Sequence, residues 1–244
     1  MELKDKVALV TGSAGRGMGR SIALTLAREG AKVAVNYRTS KKQAHAIVKH
    51  IESQSGEAIA IEADVFQAEG CKKLVDTAIE RFGRIDVCVI NPGAGWHPEP
   101  VDKLDSSAAM EDIQHEVAPF FHLMPLVLPH MVERRWGRII GIALLPPYDS
   151  PAYSYNVGKA ARVHAMLKAR DEMWRYGVTI NVIAPGPVPA VESLAEAVEQ
   201  CEHGPAWLNR ANTSPQDIAE SVAYLCSDAG RFITGSVLPF LFHS

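Results

Sequence analysis

Tyr155 and Lys159 stand four residues apart in the stretch YSYNVGK, a spacing that puts two side chains on neighbouring turns of one helix face. A phenol with a reference pKa near ~10 needs a neighbouring cation to act as acid or base near neutrality, and an ammonium four residues away is expected to lower it. The pair therefore suits proton transfer at a substrate oxygen.

A second chemical signal lies near the start, in TGSAGRGMGRSIALTLA, where Gly12, Gly15, Gly17 and Gly19 separate a β-branched run from a helical apolar pattern. Glycines in such a turn let the backbone approach a pyrophosphate, which the free N–H groups and dipole of the following helix then attract. The end of the second apolar run decides the nucleotide. An acid there would hydrogen-bond a ribose 2′-hydroxyl, but the chain reads Asn36-Tyr37-Arg38. Arg38 together with Arg16 would supply the charge-assisted contacts that a 2′-phosphate prefers, so NADP(H) is expected over NAD(H).

These residues need a scaffold, and short apolar runs alternating with helical segments give one. KVALVT (6–11), KVAVNY (32–37), EAIAIEA (57–63), DVCVIN (86–91), GRIIGIA (137–143), VTINVIA (178–184) and SVLPFLF (236–242) read as strands buried on both faces. The alternation predicts an α/β fold, a Rossmann-like doubly wound parallel sheet in one domain spanning 1–244. Gly30, Gly56, Gly83 and Gly177 each precede a strand and are expected as left-handed helix ends. Residues 185–215 are Pro-rich and irregular enough to be a lid, with the substrate loop near 187–214.

Composition narrows the partners. A net charge of −3 over 244 residues offers no broad basic surface for nucleic acid. Cys71, Cys88, Cys201 and Cys226 have no metal-ligand spacing, so buried thiols and no metal site are expected. The apolar run in MELKDKVALVTG is too short for a signal peptide or a membrane span, which points to a cytoplasmic protein.

Taken in order, Thr11-Gly12…Gly17-Met18-Gly19, Asn91, Tyr155-x-x-x-Lys159 and Ile183-Ala184-Pro185-Gly186 resemble the short-chain dehydrogenase/reductase family over nearly the whole chain. VNYR in the second strand and the GRII strand are closest to its 3-oxoacyl-[acyl-carrier-protein] reductases and related ketoreductases. The resemblance implies seven strands, a nicotinamide cofactor at their carboxyl ends and a homotetramer. It implies that Tyr155 exchanges a proton with a carbonyl or alcohol oxygen while Lys159 holds the nicotinamide ribose. Asp64 and Val65 would meet the adenine, although an aspartate at a strand end also caps the next turn. Asn91, Gly93, Pro185, Gly186 and Val188 would line the rest of the cofactor site.

The departures from that pattern are specific. The family's catalytic serine falls at Leu144, its helical asparagine at Glu116, and the threonine after Pro185-Gly186 at Ala190; the glycine loop is one residue longer. Tyr148, Asp149 and Ser150 follow Leu144 and are candidate substitutes, with Glu116 a candidate proton acceptor in catalysis, whereas His97, His115 and His122 read as packed or solvated side chains, and Trp96 and Trp207 as pocket covers. Three functions stay open: a redox enzyme, a lyase or isomerase using Tyr155 and Lys159, and a nucleotide-binding protein without turnover. The helices near 110–135 and 153–176 carry wide apolar faces that would pair across a two-fold, and Leu238 to Phe242 form an apolar tail that wants cover.

Overall fold

The computed structural model of the protein describes residues 2–93, 95, 97–144, 152–205 and 212–240. Seven strands form one parallel sheet: β1 (Val7–Val10), β2 (Lys32–Tyr37), β3 (Ala58–Glu62), β4 (Val87–Ile90), β5 (Gly137–Ile142), β6 (Val178–Pro185) and β7 (Val237–Phe240), in the order β3-β2-β1-β4-β5-β6-β7. The order runs outward in both directions from β1 and β4, which pair through Leu9 and Cys88, so the chain switches direction there. A crevice between the carboxyl ends of two strands whose connections diverge is where this fold class binds ligands.

The helices cover both faces: α1 (Met18–Arg28), α2 (Lys41–Ser53), α3 (Ala68–Phe82), α4 (Ser106–Arg134), α5 (Tyr153–Met173), α6 (Leu194–His203) and α7 (Pro215–Cys226). Because strand side chains alternate, β1 feeds two cores at once. Ala8 and Val10 join Ile22, Leu26, Ile47 and Val222 in one layer, while Leu9 joins Leu74, Leu123 and Met166 in the other.

The structure departs from the sequence expectations in three places. The segment 185–215 is not irregular throughout, because Ser193 caps α6 by accepting from the Glu196 N–H. At the end of α2 the left-handed residue is Ser55, with φ of 64°, and not Gly56; Gly56 instead packs on Ile51, where a Cβ would come within 2.7 Å of Cγ2. Gly30, Gly83 and Gly177 do take positive φ. The long fourth helix begins at Ser106, earlier than the expected 110, because Asp105 caps it through the Ala108 N–H.

Three arginines, one in the glycine loop and two on α1, hold the segment leading through α6. Arg16 pairs with Glu192 at 2.6 Å, Arg20 donates to the Val191 carbonyl, and Arg28 donates to the Cys201 carbonyl at 2.6 Å. Arg28 also reaches Glu220 on α7.

Candidate active site

The glycine loop is shaped by two asparagines. Gly12, with φ of +58°, donates its N–H to Asn36 Oδ1 at 2.9 Å. Asn36 in turn donates to the Ala63 carbonyl at 3.0 Å, joining β2 to the end of β3. Asn91 donates from its amide to the carbonyls of Thr11 and Gly12, both at 3.3 Å, and its own N–H donates to Thr11 Oγ1. Four strand ends are thus stitched together without a charge. Gly19 permits the close approach of α1, since a Cβ there would lie 2.5 Å from the Gly12 carbonyl oxygen. Around Gly15 and Gly17 the Cβ positions look into open space, and Gly17 caps α1 with no side chain over its first N–H groups. A loop open on that side above a bare helix N-terminus is a cradle that fits a pyrophosphate.

Beside the loop lies a cavity of about 300 Å³ bounded by Gly12, Asn36, Arg38, Asp64, Val65 and Gly93. Arg38 sits 3.8 Å from Asp64 Oδ2 with its guanidinium 5.6 Å above the Phe66 ring. Asp64 lines this cavity and accepts the Phe66 N–H at 3.0 Å, capping the next turn. Arg16 does not join Arg38; its guanidinium is on Glu192.

A larger cavity, of about 900 Å³, opens at the ends of β4, β5 and β6. Tyr155 and Lys159 line it from α5, Met18 and Asn91 from the glycine-loop side, and Leu144 from the end of β5. Pro185, Gly186 and Val188 close the side toward the segment that leads into α6. Leu144 therefore presents an isobutyl group to the same space as the phenol. Asn212, which sequence reading passed over, is a further polar group on this wall. Tyr148, Asp149, Ser150, Trp96, Trp207, Leu241 and Phe242 lie outside the described residues.

Behind Tyr155 is a buried ionic cluster. Lys159 Nζ is 5.0 Å from the Tyr155 ring centroid and 3.1 Å from Glu116 Oε2, and Arg162 Nη2 is also 3.1 Å from Glu116 Oε2. Glu116 and Arg162 are fully buried and Lys159 is 7 % exposed. Glu116 owes its place to small neighbours: a Cβ on Gly93 would lie 2.3 Å from Oε1, and one on Gly158 would lie 2.8 Å from the Glu116 Cβ.

This cluster reverses the expectation that Lys159 lowers the phenol. Burial and the Glu116 charge push Tyr155 up to about 12, against a smaller opposing pull from Arg162. Burial and the Arg162 charge bring Lys159 down to about 8, although Glu116 works in the other direction. The ammonium is engaged by a carboxylate rather than left to act on the phenol alone.

Arg162 was also missed, and a signal for it existed. Tyr155, Lys159 and Arg162 follow an i, i+4, i+7 stripe, and an acid at 116 facing that stripe needs more than one cation to be buried. One turn before Glu116, Asp112 accepts from Ser154 Oγ at 2.9 Å and lies 3.1 Å from His97 Nδ1. His97 is thus tethered in the loop after β4. Among the described residues no group of side chains could hold a metal ion, and no helix is long and apolar enough to cross a membrane.

Comparison with known proteins converges on one description. The family model for short chain dehydrogenases matches residues 6–202. The 3-oxoacyl-[acyl-carrier-protein] reductase of Staphylococcus epidermidis is 33 % identical over 238 residues, covering 96 % of each chain. The 7alpha-hydroxysteroid dehydrogenase of Escherichia coli is 32 % identical over 245 residues, with 98 % of this chain and 93 % of the relative covered. A Burkholderia cenocepacia short chain dehydrogenase in complex with NADP superposes with a TM-score of 0.83 at 26 % identity, covering 98 % of both chains. An NAD+-bound xylitol dehydrogenase shares the fold, with a TM-score of 0.85 at 24 % identity over the full length of both.

Proposed function

Because the chain belongs to the short chain dehydrogenase family of oxidoreductases, we propose that it reduces a carbonyl compound with a nicotinamide cofactor and prefers NADP(H) to NAD(H). The observation that carries this reading is the meeting, in one cavity, of the glycine-loop side and the Tyr155–Lys159 face of α5. The cofactor fits the residues present. The bare N-terminus of α1 and the open loop at Gly15 and Gly17 would hold the pyrophosphate, Asp64 and Val65 the adenine, and Arg38 a 2′-phosphate. Asn91, Gly93, Pro185, Gly186 and Val188 would flank the nicotinamide half, with Lys159 toward the ribose. Solved neighbours bind NADP or NAD, so the preference rests on Arg38.

When bound, the nicotinamide supplies hydride to the carbonyl carbon. The residues of this chain handle the proton. Tyr155, held at about 12, keeps its proton at neutral pH and is therefore a donor to the oxygen that becomes the alcohol. A developing alkoxide is far more basic than a phenolate, so this transfer runs downhill, and it favours reduction over oxidation. Lys159, near 8 and beside the ring, returns a proton to Tyr155, and the Glu116 carboxylate 3.1 Å away orients the Lys159 ammonium. Leu144 gives the substrate oxygen no hydrogen bond. A missing aimed donor lowers turnover by roughly 10²–10³, so reduction of generic ketones is slow.

The apolar lining from Met18, Leu144, Val188 and the prolines suits a substrate with a hydrocarbon body, and the two curated relatives direct the choice to 3-oxoacyl esters and cyclic ketones. Exposed Met110 and Phe121 on α4 and Tyr153 and Val157 on α5 support self-association through these helices, and we propose a cytoplasmic homotetramer. The test is calorimetric titration with NADPH and NADH, then NADPH absorbance followed with a panel of 3-oxoacyl thioesters and cyclic ketones. Tighter NADPH binding with slow consumption is expected. Leu144 and the carboxylate on Lys159 favour a second reading, a lyase or isomerase; binding without any consumption across the panel would select it.

A further inference from the structure

Arg162 is a large, fully buried cation, and its hydrogen bonds are spent on the walls of the site. Nε donates to the Glu116 carbonyl at 2.6 Å, Nη1 to the Ile142 carbonyl at 2.8 Å and Nη2 to the Pro92 carbonyl at 2.7 Å. Those carbonyls belong to α4, to the last residue of β5 and to the loop after β4. The same Nη2 lies 3.1 Å from Glu116 Oε2, the oxygen that also meets Lys159. Burying three charges together is a poor route to stability, since apolar side chains of similar volume do as well or better. It does fix geometry, because a planar fork has few ways to satisfy all its donors.

We propose that Arg162 is a positioning residue for the reacting pair, clamping the Glu116 carboxylate against the Lys159 ammonium and tying the ends of β4 and β5 to α5. This rests on Tyr155 and Lys159 being that pair. Among the described residues the charged and titratable groups around Lys159 are Glu116 from α4 and Tyr155 and Arg162 from α5; β5 and the loop after β4 present Ile142, Leu144, Asn91 and Pro92, which carry no charge. The clamp sets two charges of opposite sign on Lys159, so removing them one at a time moves the amine in opposite directions.

The amine can be read without cofactor or substrate, by titrating protein labelled with 15N-lysine in an NMR spectrometer and assigning Lys159 by its loss in Lys159→Arg. Arg162→Met is expected to raise the Lys159 midpoint and Glu116→Gln to lower it, each by about one pH unit, with Glu116→Gln/Arg162→Met returning toward the wild-type value. A midpoint that stays put or falls in folded Arg162→Met overturns the proposal. Should Arg162→Met not fold, the double variant against Glu116→Gln gives the same information, because the double variant must have the higher midpoint; equal values overturn the proposal. Opposite shifts in a protein that consumes no NADPH would keep the clamp and remove the reductase reading.

Discussion

The two halves of the site are held by different physics. Around the glycine loop, Asn36 and Asn91 join four strand ends through neutral amides and backbone groups. Around Tyr155, the support is a glutamate, a lysine and an arginine buried together. Neutral amide bonds are each modest and largely independent, whereas buried charges depend on one another, and removing one partner leaves the others uncompensated. The nucleotide half should therefore tolerate change piecemeal, and the catalytic half should respond as a unit.

The sharpest separation of the halves is Tyr155→Phe, which is expected to lower turnover by roughly 10²–10⁴, the share a positioned proton donor supplies, while NADPH affinity by calorimetry holds. Loss of binding along with turnover would join the halves instead. Leu144→Ser comes next. If the site is a reductase lacking one aimed donor, ketone reduction rises by up to roughly 10²–10³; a fall would show that the apolar wall serves another reaction, because a hydroxyl in it lacks a partner.

On the neutral side, Arg38→Ala is expected to narrow the ratio of NADH to NADPH dissociation constants by about tenfold, the worth of one charge-assisted contact of roughly 1.5 kcal/mol. The Lys159 resonance should not move in that variant. A further contrast lies in stability against pH. Lys159 has a native value of about 8 against an ordinary 10.5, so between these values the unfolded chain binds a proton that the native chain does not, and this contribution to stability rises with pH. Tyr155, at about 12 against 10.0, contributes a fall between pH 10 and 12, because there the native chain keeps a proton that the unfolded one has lost. Thermal melts of wild type against Lys159→Met isolate the first, since the rise from pH 8 to 10.5 should be missing in the variant.

The same contrast governs what could be read from the chain. Strands buried on both faces announce themselves as β-branched runs, and the glycine loop is a local pattern, so the sheet and the cradle were legible. Asn36 was passed over as part of a strand, because its function appears only when β1, β2 and β3 are side by side. Glu116 and Arg162 are 46 residues apart and meet through the packing of α4 on α5; Glu116 could be named from position, but its partner needed the stripe on α5 to be followed one turn further. α6 was obscured by Pro185, Pro187 and Pro189 just before it, although Ser193 and Glu196 carry an ordinary helix start. Gly56 shows the limit of a local rule: tight packing on Ile51 passed the left-handed turn to Ser55.

The suspension of the segment from Val191 to Cys201 from the glycine loop and α1 has a consequence for how this protein can change. Arg16 in the loop and Arg20 and Arg28 on α1 together carry Val191, Glu192 and the end of α6. That segment is thus hung on the glycine loop and its helix, like a door hinged to the wall that holds the lock. Exchanging it for that of a relative would carry the wrong hinge with it, so it is transplanted only together with its three arginines.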